Sequence, residues 1–315
     1  MSAWLNGIQS ATSGAGLHDQ QFNGLFLLFL GITGFFYLIV IVALIAAIIL
    51  RRRRTGSEPL ARAALFGWVG AVVVGLAVLS AASFLVDRRV DAATMGRPPL
   101  KIELVANQWW WDVRYHGASP SDEVHTANEL HLPVGVPALV TLKSNDVIHS
   151  FWVPPLAGKQ DLVPGRTNDI LLLPRRTGLF RGQCAEFCGT QHARMALDVT
   201  VESLPDFRRW QRAQRAPAFA PRTALAQGGY AYVTQRECAN CHNITGTPAS
   251  GRFGPDLTHL ASRRSIGAGT YPMTRGHLYA WVADPQGAKP GNNMPYIGFE
   301  AQDLHAVVAY LQSLK

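Results

Sequence analysis

Residues 184–195 read CAEFCGTQHARM, and this run decides what the middle of the chain must fold to build. Cys184 and Cys188 stand four residues apart, His192 follows four later and Met195 three later. One tight loop can therefore bring two thiols, an imidazole and a thioether to one point. Such donors favour a soft transition metal, copper above all, over calcium or magnesium. Zinc also takes Cys and His, but a closed structural zinc site uses four strong tetrahedral ligands. A thioether is a weak, soft partner better matched to electron-transfer copper. The methionine thus tips the expectation toward redox chemistry.

Two copper ions sharing both thiolates would need a second imidazole, and His149 in NDVIHSFWVPP stands upstream at a strand-to-loop transition. VIHSFWVPP, the LVPGR of residues 162–166 and CAEFCGTQHARM together resemble the dinuclear copper domain of cytochrome c oxidase subunit II. The resemblance implies that Cys184 and Cys188 bridge two copper ions and that His149 and His192 give one nitrogen each. It also implies that Met195 and the backbone carbonyl of Glu186 are weak axial ligands. A rigid cage sharing one electron over two ions would change shape little on reduction, which favours fast transfer.

Residues 238–242 read CANCH, the spacing by which two thiols take up haem covalently and the adjacent His becomes an axial ligand. Downstream, Met273 and Met294 are the candidates for the second axial position. Met294 is preferred because NNMPYIGF has a proline fixing the adjacent backbone and precedes a helix-like run, Ala301 to Leu314. About the last ninety residues, including GRFGPDL at 251–257, resemble small monohaem c-type cytochromes. His259 or His277 in place of the methionine would lower the potential. His18, His116, His125, His131 and His305 have no sulfur partner at ligand spacing and read as structural or surface residues.

The chain has 315 residues, a length for about two domains, and its 48% apolar content is high for a water-soluble protein. The excess is N-terminal. Gly24 to Leu50 and Ala63 to Val86 contain no charged residue, and about 20 helical residues suffice to cross a bilayer. No Lys or Arg precedes the first run and its length is excessive for a cleaved leader, so an anchor is expected. RRRRTGSEPLAR, with Arg51 to Arg54, joins the spans and places that loop on the cytoplasmic side. Both chain ends then face outward, where thiolate copper sites and covalent haem are expected, and no cysteine is left for a disulfide.

Residues 100–204 read as strands, with alternation at Leu139 and Thr141 and a final run in which Leu197, Val199 and Val201 oppose Asp198, Thr200 and Glu202. Periodicity alone allows several all-β folds; the resemblance implies a cupredoxin-like β-sandwich. LPDFRRWQRAQR then reads as a short surface helix, followed by an Ala/Pro linker near Ala216 to Pro221. A small all-α cytochrome c domain should open with a helix over Leu225 to Thr234 and close with one burying Leu304, Val307, Val308 and Leu311. The expected multidomain division is an N-terminal extracytoplasmic segment 1–23, a two-helix transmembrane hairpin 24–87, a copper domain 88–204, a surface helix and linker 205–221, and a cytochrome c domain 222–315.

Trp109, Trp110 and Trp111 cannot all point one way on a strand, so at least one should face outward. In the resemblance Trp109 matches the exposed residue through which electrons reach copper; core and interface packing is the other reading, stronger for Trp110. The fused haem would be its immediate donor. The family further implies a magnesium or manganese ion on the Glu186 carboxylate at the boundary with subunit I. Asp146 and Asp161 could order hydrogen bonds near the copper. Glu58 could mark the mouth of a proton path, although EPLARAALFGW lacks the aromatic and proline pattern of relatives.

The net charge is +8, but many arginines sit in the cytoplasmic loop and the linker, so nucleic acid is not the implied partner. The resemblance implies the electron-accepting subunit of a caa-type haem-copper oxidase of the bacterial cytoplasmic membrane, with its copper and haem domains on the periplasmic side. Its partners would be subunit I, where oxygen is reduced, subunit III, and as donor a cytochrome c or a quinol-oxidising complex. An electron-transfer subunit of a nitric oxide reductase shares nearly every motif, and a copper-delivery protein is a third class.

Overall fold

A computed structural model describes residues 8–50, 58–94, 96 and 98–315. The arginine run 51–54, on which the cytoplasmic placement rests, and residues 1–7 of the N-terminal segment lie outside the described residues. The chain divides into two compact units, His18–Gly96 and the remainder.

The first unit is built on two long helices, α1 (Leu17–Leu50) and α2 (Glu58–Thr94). They extend beyond the charge-free runs because Asp19, Glu58 and Arg62 fit the helix ends, with Glu58 accepting from Arg62 at 2.6 Å. Leu, Ile, Val and Phe side chains point outward on many sides of both helices. Apolar surface all round a helix suits a lipid solvent, and intrahelical bonding satisfies the backbone there. Both helices span a membrane by length and composition. Phe36 and Trp68 meet edge to face at 5.3 Å where the two pack.

The second unit begins with a cupredoxin-like sandwich of β1 (Leu100–Asn107), β2 (Trp110–Tyr115), β3 (Val124–Ala127), β4 (Glu129–Pro133), β5 (Ala138–Ser144), β6 (His149–Trp152), β7 (Gln160–Leu162), β8 (Asn168–Leu172), β9 (Gly178–Cys184) and β10 (Ala196–Glu202). One sheet runs β3-β2-β1-β5-β8 and the other β4-β10-β9-β6-β7. The pairs β1/β5 and β4/β10 are parallel, so the chain crosses between sheets rather than meandering. In β10, Leu197, Val199 and Val201 are buried while Asp198, Thr200 and Glu202 are half-exposed. In β5 the buried set is Ala138, Val140 and Leu142, which puts Leu139 and Thr141 on the outer face. Trp111, Tyr115 and Phe151 fill the core between the sheets, and Cys184, Cys188 and Met195 lie at its edge as part of the same cluster. The core is therefore continuous with the cysteine loop.

The amphipathic helix α3 (Leu204–Gln214) starts where Ser203 accepts from Asp206 N. It buries Phe207 and lays Trp210 flat on His131 at 4.1 Å.

The last part has its own core. Its first helix, α4 (Ala224–Gln235), is capped by Thr223; α5 (Cys238–Cys241) follows, then a two-stranded ribbon, β11 (Ser265–Ile266) and β12 (Tyr271–Pro272). After it come α6 (Arg275–Ala283), α7 (Pro285–Ala288) and α8 (Ala301–Leu311). Leu304, Val307, Val308 and Leu311 are buried on α8 as the spacing predicts, and Tyr310 joins them. Where α4 crosses α8, a Cβ at Gly229 would lie 2.0 Å from the carbonyl oxygen of Ala306. Only glycine permits that approach.

Candidate functional site

The loop after β9 folds back through Gly189 and a turn of 3-10 helix at 192–194, which Met195 caps before β10 begins. Cys184 N donates to Met195 O at 2.9 Å, which closes the loop at its base. Six donor atoms converge as a result. Cys184 Sγ lies 3.7 Å from Cys188 Sγ, 3.8 Å from His149 Nδ1 and 3.3 Å from the carbonyl oxygen of Glu186. Cys188 Sγ lies 3.5 Å from His192 Nδ1 and 3.9 Å from Met195 Sδ. His149, Cys184 and Cys188 form a buried group whose ligand atoms are mutually within 4.8 Å.

The electrostatics of this cluster call for a cation. The hydrogen bond from Cys188 brings the Cys184 thiol down to about 3. The same bond, with burial and the charge on Cys184, pushes Cys188 strongly up. Two thiolates cannot coexist at this spacing without positive charge beside them, so the donor set fits soft metal binding. His149 is oriented from behind. Its Nε2 meets Asp146 Oδ1 at 2.8 Å, leaving Nδ1 toward Cys184. Burial disfavours the charged forms of both partners, yet their mutual hydrogen bond raises His149 and lowers Asp146. Asp146 also accepts from the backbone N–H groups of Gln108 and Val147. Asp161, by contrast, pairs with Lys159 at 3.7 Å, and Lys159 also reaches Glu186 Oε2 at 3.2 Å. The Glu186 carboxylate is 43% exposed, so its carbonyl faces the sulfurs while its side chain faces out.

The tryptophan triplet departs from expectation. Trp109 precedes β2 in a turn, and at 8% exposed it is buried rather than an outward-facing residue. The cover is the segment Lys289 to Asn293, far away in sequence, which the strand argument could not foresee. Trp109 Nε1 donates to Cys188 O at 2.8 Å, and Gln108 Nε2 donates to the same oxygen at 2.7 Å. Trp110 is half-buried; Trp111 is a core residue whose ring centre lies 6.2 Å from that of His149.

Trp109 and Trp110 also line a cavity of about 400 Å³ whose other walls carry Cys238, Cys241, His242 and Met294. His242 Nδ1 donates to Pro255 O at 2.7 Å, which leaves Nε2 as the free nitrogen. Burial holds His242 below its usual range and therefore neutral. A Cβ at Gly254 would lie 2.7 Å from the His242 ring, so glycine there lets the loop press on the imidazole. Burial lifts Cys238 to about 11, keeping an unmodified thiol protonated. Met294 is held through its backbone, with its N–H donating to Asn292 Oδ1 and its carbonyl accepting from Gln286 Nε2. Met273 packs against the domain core and is not among the cavity residues. The two ring nitrogens of His259 contact the backbone carbonyls of Lys315 and Ala216, each at 3.0 Å, and His277 contacts Thr274; neither histidine is among the cavity residues. Paired thiols, a neutral imidazole with one free nitrogen and a thioether around one apolar cavity fit a covalently attached haem.

Two polar residues escaped the motif reading. Arg263 lines the cavity and lies 3.7 Å from Glu129 of the sandwich, both buried. Lys289 is 2% exposed and bonds three carbonyls from both parts of the unit. Neither has a local sequence signature, since their partners are remote.

Comparisons with known proteins agree with this division. The family model of the cytochrome C oxidase subunit II periplasmic domain matches residues 117–203, and that of cytochrome c matches residues 226–315. Cytochrome c oxidase subunit 2 of Alkalihalophilus pseudofirmus is 34% identical over 246 residues, covering 78% of this chain and 69% of the relative. The Bacillus subtilis protein of the same name is 30% identical over 227 residues, covering 69% of this chain and 62% of the relative. A crystal structure of the periplasmic domain of subunit II of a Bradyrhizobium japonicum cytochrome oxidase is 29% identical, covering 37% of this chain and 93% of that one with a TM-score of 0.34. With a relative of that identity and coverage, and with both domains matched, the chain belongs to the cytochrome c oxidase subunit 2 family and carries a cytochrome c domain at its C-terminal side.

Proposed function

We propose that this chain is the electron-accepting subunit of a haem-copper oxidase in the bacterial cytoplasmic membrane, with residues 88–204 and 222–315 as its copper and cytochrome domains on the periplasmic side. His149, Cys184, Cys188, His192, Met195 and the Glu186 carbonyl would hold two copper ions. Cys238 and Cys241 would bind haem covalently, with His242 and Met294 as its axial ligands. When bound, these groups supply one-electron chemistry between an outside donor, a cytochrome c or a quinol-oxidising complex, and the oxygen-reducing subunit I.

The protein's own residues prepare that transfer. Asp146 fixes the His149 tautomer and ring plane, as carboxylates commonly do behind metal-bound imidazoles. The Pro255 carbonyl does the same for His242. Trp109 carries the proposal, because one indole both lines the haem cavity and donates to the backbone of Cys188. The Glu186 carboxylate, which points away from the sulfurs and pairs with Lys159, would take a magnesium or manganese ion at the boundary with subunit I. Subunit III would complete the complex.

Photoreducing the haem in the intact complex and following the mixed-valence copper signal tests the reading. Prompt copper reduction with oxygen consumption is expected. A haem that reduces without copper following would overturn it, and consumption of nitric oxide alone would assign the chain to a nitric oxide reductase.

A further inference from the structure

Lys289 stands out as a buried amine whose hydrogen-bond partners are all backbone carbonyls. It follows α7 and is 2% exposed. Its Nζ donates to Trp109 O at 2.8 Å, Arg194 O at 2.8 Å and Gly267 O at 3.0 Å. An ammonium has three N–H donors and no acceptor, so three convergent carbonyls satisfy it completely. Two of those carbonyls belong to the sandwich, one on the tryptophan beneath the haem cavity and one on the residue before Met195. The third comes from the loop joining β11 to β12.

Neighbouring bonds run the same way. Gln191 Nε2 donates to Pro290 O at 2.7 Å, and Arg194 Nη1 donates to Ala288 O at 2.8 Å. Ala196 N donates to Ala268 O at 2.9 Å. The segment so held is the one whose Gln286 fixes the Met294 carbonyl. Burying a lysine is costly unless its donors are met, and such a cost inside a seam between two independently cored parts buys one defined docking geometry.

We propose that Lys289 is a latch that keeps the haem domain permanently seated on the copper domain with its cavity against Trp109. Lys289 is a positioning residue: its Nζ is spent on three backbone carbonyls, and it acts through the tryptophan backbone and the methionine loop. The haem domain is then a fixed relay rather than a tethered shuttle. An external donor must land on the haem domain's remaining surface, because the tryptophan face is already covered.

This inference rests on the electron path proposed above, and the test separates the two. In the full chain assembled with its complex, haem-to-copper transfer is followed after flash photoreduction at increasing viscosity and salt. The native rate is expected to be unaffected by either; a rate falling as viscosity rises would mean a mobile domain and end the latch proposal while leaving the path intact. No haem-to-copper transfer at all would instead remove the path. In Lys289→Met, which keeps the volume and removes the donors, the docked population drops and transfer should slow roughly tenfold or more and become viscosity-dependent. Covalent haem and mixed-valence copper should both still be present by their spectra, which separates misdocking from loss of a cofactor. Transfer in the variant at the native rate, without viscosity dependence, refutes the latch. Should the variant fail to assemble, the viscosity series on the native chain still decides.

Discussion

The Trp109 indole N–H lies 2.8 Å from the carbonyl oxygen of Cys188, so a wall residue of the cavity that carries Cys238, Cys241 and His242 is one hydrogen bond from the backbone of the Cys184/Cys188 cluster. Replacing Trp109 with leucine removes both the π-system and the donor. Haem-to-copper transfer should slow by roughly tenfold or more, since small losses of positioning are costly at reacting centres. Flash kinetics with unchanged copper EPR checks this, and a native rate in the variant would assign Trp109 to packing alone.

Asp146 supports His149 from behind at 2.8 Å. Asp146→Asn keeps the shape but weakens the acceptor, and loss of such a partner typically lowers metal affinity by about 10–100-fold. Competition titration of copper against a chelator should register that drop, with thermal stability little altered. Equal affinity in variant and native chain would make Asp146 an ordinary loop acid.

Met294 and Met273 make opposite predictions for the oxidised haem spectrum. Met294→Ala should abolish the sulfur-to-iron charge-transfer band and lower the midpoint potential, because thioether ligation raises it. Met273→Ala should leave the band in place. Loss of the band in the Met273 variant would reverse the assignment.

His131 links pH to the stability of the sandwich. Burial opposes its charge, but hydrogen bonds with Glu129 and Glu202 prevail and raise it from 6.5 to about 8. A raised histidine stabilises the fold in its charged form. The contribution, about 2 kcal/mol, is complete below pH 6.5 and disappears as pH rises through about 8. Tryptophan-fluorescence melts of the detergent-solubilised chain should show that loss, and His131→Gln should flatten it. A melting temperature rising across the same interval would contradict the sign.

The ligand loop was legible because its donors fall within twelve consecutive residues, and short spacing survives whatever the surrounding fold does. The same holds for CANCH and for the apolar face of α8, where Leu304, Val307, Val308 and Leu311 repeat at helical period. Burial of Trp109 was not legible, because its cover is contributed by residues about 180 positions later. Strand alternation predicts which way a side chain points, but cannot say that another part of the chain will be waiting there. Arg263 facing Glu129 and Lys289 facing three carbonyls are hidden for the same reason. The parallel pairs β1/β5 and β4/β10 likewise depend on crossovers that period-two patterning does not encode.

With Trp109 shut beneath Lys289 to Asn293, stray oxidants and reductants in the surrounding water lose their aromatic handle on the sulfur cluster from that side. Reagents dissolved in that water would have to reach the thiols by another face, so their access to the cluster depends on how firmly residues 289–293 stay in place.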